Sequence, residues 1–375
     1  MEKIDILKQL SNNIEYLKSK NLFRSLEDYE AISPIILKRK KQQFISFACN
    51  DYLGLSHNAK VKKSAILAIE NYGVGSRASR FITGNNVIYK KLEKQIAEFY
   101  KAEKAIIFAS GYSTAIGVIP ALVGEGDLVV ADKLIHSCLI EGIKLSMAKM
   151  IRFNHNDIEH CQKILSENHQ KYRKILLISE NIFSMDGDCG KINELLIIAK
   201  KYSAILLTDD AHGISINTIK DQLHIQMGTL SKGFGSLGGF VVGNKIIIEY
   251  LIQFAKSLRY STALPPSILA SSLMAFKLAK NQKLAKKSLA NAEYFCQIMN
   301  MPKPQSSIVP IIIGDEKRTL LIAQKILSKG FIVGAIRYPT VPLNTSRLRL
   351  TFSASHQKKQ IKQLALIIKQ QLKYN

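Results

Sequence analysis

Short, wholly apolar runs alternate along this chain with longer stretches whose apolar positions recur every third or fourth residue. The runs read as strands buried on both faces of a parallel sheet, and the stretches as amphipathic helices laid against it. Strands are expected at about 44–49, 104–109, 127–131, 174–179, 204–208, 224–229 and 239–243, with helices near 58–72, 86–100 and from about 113. After Tyr260-Ser261-Thr262-Ala263-Leu264-Pro265-Pro266 the pattern changes to longer helices. A second strand-rich part follows at 308–313, 332–336 and 347–351, closed by a helix at 356–372. This order predicts an α/β fold, a mostly parallel central sheet with helices on both faces plus a smaller C-terminal α/β domain. The expected division is an N-terminal helix and basic arm at 1–43, a large domain at 44–262 and a small domain at 263–375.

The chain has 375 residues, enough for a large core, and no internal repeat or low-complexity block. Its formal net charge of +24 raises nucleic acid, membrane or an acidic substrate as partners. The lysines are dispersed, with short clusters only at Lys38-Arg39-Lys40-Lys41 and between Lys144 and Lys149, and no aromatic-interleaved basic motif or zinc spacing accompanies them. A solvated surface, or a basic rim for a phosphate-rich thioester, is therefore expected rather than nucleic acid. The five cysteines, Cys49, Cys138, Cys161, Cys189 and Cys296, show no paired spacing and read as reduced, buried thiols. The N-terminus lacks an apolar signal core, and no apolar run reaches membrane-spanning length, so a cytoplasmic protein is expected.

Chemistry concentrates at a few places. Lys232 lies between the apolar run ending at Leu230 and a glycine-rich turn, where its amine is a candidate Schiff-base former. Asp209 ends the apolar run Ala204-Ile205-Leu206-Leu207-Thr208, and ligands of open α/β sheets sit at such strand ends. A carboxylate there can keep a pyridine nitrogen protonated while a lysine carries the cofactor as an imine. The turn Ser110-Gly111-Tyr112-Ser113 joins a strand to a helix whose first N–H groups suit a phosphate. Arg347 and Arg349 alternate along one strand and share a face, and an arginine fork suits a carboxylate. A metal hydrolase built on Asp209, Asp210 and His212 lacks a second ligand cluster, so no metal is expected.

These residues resemble a known family, the α-oxoamine synthases, which are fold-type-I pyridoxal phosphate enzymes. The matching strings are Asn50-Asp51-Tyr52-Leu53-Gly54-Leu55, Ser110-Gly111-Tyr112, Leu134-Ile135-His136-Ser137, Phe183-Ser184-Met185-Asp186-Gly187-Asp188, Asp209-Asp210-Ala211-His212-Gly213, Thr229-Leu230-Ser231-Lys232 and Arg347-Leu348-Arg349-Leu350-Thr351. The resemblance implies pyridoxal 5'-phosphate carried on Lys232, with Asp209 at the pyridine nitrogen and His136 stacked on the ring. It places His212 and Ser184 near the phenolic oxygen, and Gly111, Tyr112, Thr229 and Ser231 around the cofactor. Thr262 resembles a residue that reaches the phosphate across a homodimer interface. Arg349 matches the arginine that grips the amino acid's carboxylate, and Asn50 is a further substrate-binding position. Arg24, Arg337 and Thr340 match the acyl side, and the pair Ile336-Arg337 resembles members that join L-alanine to a pimeloyl thioester of coenzyme A or acyl carrier protein. Relatives using glycine or serine with other acyl groups, and a non-catalytic basic protein of the same fold, are the alternatives. The segments between His212 and Gly228 and at about 280–310 are shorter than the resemblance leads one to expect.

Overall fold

The computed structural model describes residues 5–213 and 221–373. Seven strands form the main sheet, in the spatial order 104–108, 239–243, 224–229, 205–209, 175–180, 128–132 and 149–153. All neighbours are parallel except Gly239–Gly243, which is antiparallel to both strands beside it. Successive residues of each strand feed opposite layers, as a doubly covered sheet requires. Ile106, Val129, Leu207 and Val241 pack with the helices Gly111–Leu122, Ser137–Ser146 and Lys245–Phe254 on one face. Ile107 and Phe240, with Val130 and Leu206, enter the clusters on the other face, under Val87–Tyr100, Ile158–Asn168 and Ile192–Lys201.

The strand Lys149–Phe153 was not expected. It is the sheet's edge, its side chains are partly exposed, and Lys149 and Arg152 break the apolar pattern that marks the buried strands. The segment before residue 44 also differs from an arm, because Ile36–Arg39 pairs antiparallel with Gln42–Ser46 and the basic cluster lies in and around this hairpin. Ahead of it, Ile6–Ser19 is a helix with no buried residue.

Gln42–Ser46 pairs in parallel with Phe331–Ile332, so this strand, close to the start of the expected large domain, sits in a sheet shared with the C-terminal part. A three-stranded antiparallel sheet holds Ser346–Thr351 between Ile308–Gly314 and Gly334–Ile336. Phe47, Phe295, Phe352 and Leu350 form its core with the closing helix Lys358–Lys373. The helix Pro266–Ala279 sends Leu269, Ala275 and Phe276 into the cluster of Leu92, Ile96 and Phe240, on the main sheet. Lys283–Met299, within the segment read as short, is the helix that crosses to the smaller sheet. The segment after His212 lies partly outside the described residues.

Cys138, Cys161 and Cys296 are buried, but Cys49 and Cys189 are exposed, contrary to the expectation for all five. Cys49 lies in the irregular segment after the strand Gln42–Ser46, and Cys189 in an isolated bridge with Ile182, outside the strands and helices that fill the core. Among the described residues no helix is long and apolar enough to cross a membrane, and no group of three metal-ligating side chains occurs.

Candidate active site

Lys232 sits in the loop between the strands His224–Thr229 and Gly239–Gly243. The loop turns at Gly235, whose φ of +61° and whose Cβ position, 2.5 Å from the backbone nitrogen of Ser56, leave room for glycine alone. The lysine side chain reaches a cavity of about 210 Å³ lined by Gly111, Tyr112, His136, Cys138, Glu180, Asp209, His212, Thr229 and Ser231. The carboxyl ends of Ile175–Glu180 and Ile205–Asp209 form its floor, with Glu180 and Asp209 opposite each other across the parallel pair.

Lys232 Nζ lies 2.8 Å from His212 Nε2. Burial lowers the lysine's pKa while the charges of Asp209 and Glu180 oppose the shift. The amine is therefore easier to free of its proton than a surface lysine, which suits a base. His212 is held well below the usual histidine value by burial and then by the cations Lys232 and Arg349, so it is neutral. Its Nδ1 lies 2.7 Å from the Tyr52 hydroxyl.

Asp209 accepts the Ala211 N–H at 2.8 Å. Burial raises its pKa against the pull of Lys232 and His136. Buried among hydrogen-bond donors that do not fully offset its desolvation, this carboxylate is suited to a cationic ring N–H. The next residue, Asp210, is fixed by Asn181 Nδ2 at 2.7 Å and the Tyr100 hydroxyl at 3.0 Å, so the turn that carries His212 is braced from below.

His136 caps the helix Ser137–Ser146. Its Nδ1 accepts the Cys138 N–H at 3.2 Å and lies 2.9 Å from the Cys138 thiol. Burial lowers its pKa, and Lys232 adds to that effect against Asp209. Glu180 accepts the His136 N–H at 2.5 Å and is also bonded by the Ser184 backbone, tying together the two loops that carry those residues.

The helix Gly111–Leu122 opens on a capping box between Ser110 and Ser113. Gly111 and Tyr112 are its first two residues, whose N–H groups have no acceptor within a helix. A Cβ on Gly111 would stand 3.4 Å from Thr229 Cβ, so the helix end and Thr229 face each other closely. Thr229 Oγ1 and Ser231 Oγ are 2.8 Å apart. Helix N–H groups and two hydroxyls make a site for a phosphate dianion. The residues thus fit pyridoxal phosphate: hydroxyls and amides for the phosphate, Asp209 for the ring nitrogen, His136 for the ring face and Lys232 for the carbonyl carbon.

The two arginines of Ser346–Thr351 have different partners. Arg347 is paired with Asp186 Oδ1 at 2.5 Å. Arg349 donates from Nε to the Ser184 carbonyl at 2.5 Å and from Nη1 to Asn50 Oδ1 at 3.2 Å, with Nη2 3.5 Å from the Tyr52 hydroxyl. Among the described residues Arg349 has no carboxylate partner, although it is buried. A buried guanidinium with neutral partners is the one suited to a ligand's carboxylate.

Other expected residues lie apart from this cavity. Arg24 donates to Thr340 Oγ1 at 3.0 Å, and Arg337 to the Asn21 carbonyl at 2.7 Å. Burial and then the charge of Arg24 lower the pKa of Arg337 against the pull of Glu316, so the two cations share a second cluster with that carboxylate. Thr262 forms an isolated bridge with Ser79 and does not line the cavity. Ser184 is buried and offers its carbonyl to Arg349, yet it too is outside the cavity lining.

The model of "Aminotransferase class I and II" matches residues 42–368, most of the chain. The chain belongs to this aminotransferase family. It is also 40% identical over 363 residues to the "8-amino-7-oxononanoate synthase" of Beijerinckia indica subsp. indica, covering 94% of each protein. The solved "Sphingomonas wittichii Serine palmitoyltransferase" superposes with a TM-score of 0.90 at 25% identity, over 99% of both chains. The "8-amino-7-oxononanoate synthase" of Francisella tularensis does so with a TM-score of 0.74 at 28% identity, over 88% of this chain and 98% of that one.

In this aminotransferase-family chain, reading the sequence did not single out Tyr52, Cys138 or Glu180. The signal for Glu180 was available, since it ends an apolar strand as Asp209 does. Tyr52 stood inside a quoted motif without a role, and nothing in the sequence around Cys138 marks it.

Proposed function

We propose that the chain joins L-alanine to a pimeloyl thioester, releasing carbon dioxide and the free thiol, a reading supported by relatives at about 40% identity that are named 8-amino-7-oxononanoate synthase. The cofactor is pyridoxal 5'-phosphate. When bound it serves as the sink for the electron pair left on the amino acid's α carbon. Lys232 holds the cofactor and, once displaced by the amino acid, takes the α proton, which its lowered pKa favours. Asp209 keeps the ring nitrogen protonated, and His136 covers the ring face. His212 and Ser184 serve the phenolic oxygen, Gly111, Tyr112, Thr229 and Ser231 the phosphate, and Thr262 reaches a second copy's phosphate. Arg349, with Asn50, takes the alanine carboxylate and so orients the Cα–H bond toward Lys232.

The observation that carries the acyl choice is the facing pair Arg24 and Arg337, with Thr340 between chain segments. Arg24 adds to the burial that disfavours the Arg337 charge, with Glu316 opposing, and a further anion, which the distal carboxylate of a pimeloyl chain supplies, would favour that charge. A second reading, serine with a long apolar acyl thioester, is favoured by the higher TM-score to serine palmitoyltransferase. An apolar tail would add no anion to that arginine pair. The working unit is a cytoplasmic homodimer, with exposed Phe81, Ile82, Tyr112 and Tyr260 as apolar surface for a second copy. Neither nucleic acid nor membrane is a partner.

Thiol release by the cofactor-loaded protein, measured over a panel of amino acids and acyl thioesters, tests this. L-alanine with the pimeloyl thioester is expected to be the most rapid pair by at least tenfold. Faster release with serine and palmitoyl thioester would replace it with the second reading.

A further inference from the structure

Tyr52 is fully buried, and its hydroxyl stands where two sets of site residues meet. On one side is His212 Nδ1 at 2.7 Å, whose other nitrogen faces Lys232 Nζ at 2.8 Å. On the other are Asn50 Oδ1 at 3.1 Å and Arg349 Nη2 at 3.5 Å. Asn50 Oδ1 also accepts from Arg349 Nη1. One hydroxyl proton thus has two competing acceptors, His212 Nδ1 and Asn50 Oδ1.

We propose that Tyr52 is a positioning residue whose hydroxyl decides which nitrogen of His212 carries the ring proton, and so couples Arg349 to Lys232. The inference rests on the reading that Arg349 takes the amino acid's carboxylate. If the Tyr52 proton points to His212 Nδ1, the neutral ring carries its proton on Nε2 and faces Lys232 as a donor. An ammonium at Lys232 then has no acceptor there. If the Tyr52 proton points to Asn50 Oδ1, Nδ1–H donates to the Tyr52 oxygen and Nε2 offers its lone pair to Lys232. The second arrangement accepts a protonated lysine, the state that follows proton abstraction. No proton is gained or lost by the Tyr52–His212 pair, because the exchange moves only tautomer and hydroxyl orientation.

Arg349 sets the balance through Asn50. While Nη1 donates to Asn50 Oδ1, that oxygen is shared between the guanidinium and Tyr52. When the guanidinium turns to a carboxylate, the oxygen is left to Tyr52, and the arrangement that stabilises protonated Lys232 prevails. Capture of the carboxylate thereby prepares the base to hold the proton it removes. The charged and titratable groups facing Lys232 are Asp209, Glu180, Cys138, His136, His212 and Arg349, all of which both arrangements share. Only the Tyr52 hydroxyl orientation and the His212 tautomer differ between them. Its own proton is secure, since burial, against the pull of Arg349, pushes its pKa up to about 12.

The test uses the cofactor-loaded protein with Tyr52→Phe, which keeps the ring packed edge-on to His212 and removes only the oxygen. Asn50→Leu is the second variant, because it removes the competing acceptor and forces the Tyr52 proton onto His212. Each is followed by a pH titration of the visible absorption of the bound cofactor, then by L-alanine titration of that absorption, with thermal melting as a control for folding. Both variants are expected to lower the pH at which the Lys232 nitrogen loses its proton by about one unit, a tenfold change. Tyr52→Phe is also expected to lower kcat more than it raises KM for alanine, since carboxylate capture by Arg349 is intact.

Unchanged midpoints in both folded variants would overturn the proposal. So would a Tyr52→Phe protein that loses only melting temperature, which would reduce the residue to packing. If wild-type protein gives no response to alanine, the assignment of Arg349 fails. The pH midpoints, which need no alanine, still report on whether Tyr52 governs His212.

Discussion

His155 is the residue whose removal gives the most specific pH signature. Its Nδ1 bonds Asp132 Oδ1 at 3.0 Å and its Nε2 bonds Asp188 Oδ2 at 2.8 Å. Its ring stands edge-on to Phe183, 4.4 Å away, next to Ser184, whose carbonyl holds Arg349. Burial disfavours its charge, but the hydrogen bonds and charges of Asp132 and Asp188 outweigh this and raise its pKa to about 10. A pKa raised above its ordinary 6.5 means that the stabilisation is complete below pH 6.5 and is lost as pH rises through 10. At roughly 1.4 kcal/mol per pH unit the full window is worth ~5 kcal/mol. The side chain is 26% exposed, so water recovers part of this and ~3 kcal/mol is the figure expected in solution. His155→Gln should therefore lose about 3 kcal/mol at pH 7, because Asp132 keeps a buried charge without its cation. The difference between the two proteins should shrink as pH rises from 7 to 10. Urea unfolding followed by circular dichroism at several pH values measures this directly, the chain having no tryptophan. A constant difference across that range would refute the argument that a shared proton, rather than shape, holds the loop.

Lys232→Ala should abolish condensation and the visible absorption of bound cofactor; turnover within tenfold of wild type would remove Lys232 from its role. Arg349→Ala should raise KM for alanine by ten- to a hundredfold, the loss of one or two charge-assisted hydrogen bonds worth ~1.5–3 kcal/mol. An unchanged KM would place the carboxylate elsewhere. His356 is buried against Phe47, and burial, against the Ser46 carbonyl's bond, lowers its pKa to about 4. A depressed histidine pKa contributes stability that is present above pH 6.5 and lost as pH falls through 4, by up to ~3 kcal/mol. Acid unfolding should accordingly be less steep in His356→Leu, and equal slopes would contradict this. Gly235→Ala should cost about 2 kcal/mol or more, through positive φ and a clash with the Ser56 backbone, with a parallel fall in cofactor affinity. A fully stable variant that binds cofactor normally would show that the turn is not strained.

Apolar runs without interruption, such as Ile205-Leu206-Leu207 before Asp209, are stable only between two covered faces, so the sequence by itself determined a parallel sheet and the Asp209 carboxylate at a strand end. The same local rule made Lys232, its glycine turn and the Ser110-Gly111 helix start visible, because backbone conformation and end effects are encoded within a few residues. The edge strand Lys149–Phe153 was not legible, since an edge tolerates Lys149 and Arg152 that a central strand would exclude. Nor was the sharing of sheets across the chain, where Gln42–Ser46 finds Phe331–Ile332 nearly three hundred residues away. Only the tertiary structure distinguished Arg349 from Arg347: both alternate to one side of the same strand, but Asp186 neutralises Arg347 while Arg349 meets only neutral oxygens. Likewise, Tyr52, His212 and Lys232 are joined by two bonds that span 160 and 20 residues. Periodicity fixes which residues turn inward, but the partner each one meets is set by chain packing at long range, and the chemistry of a buried charge depends on that partner.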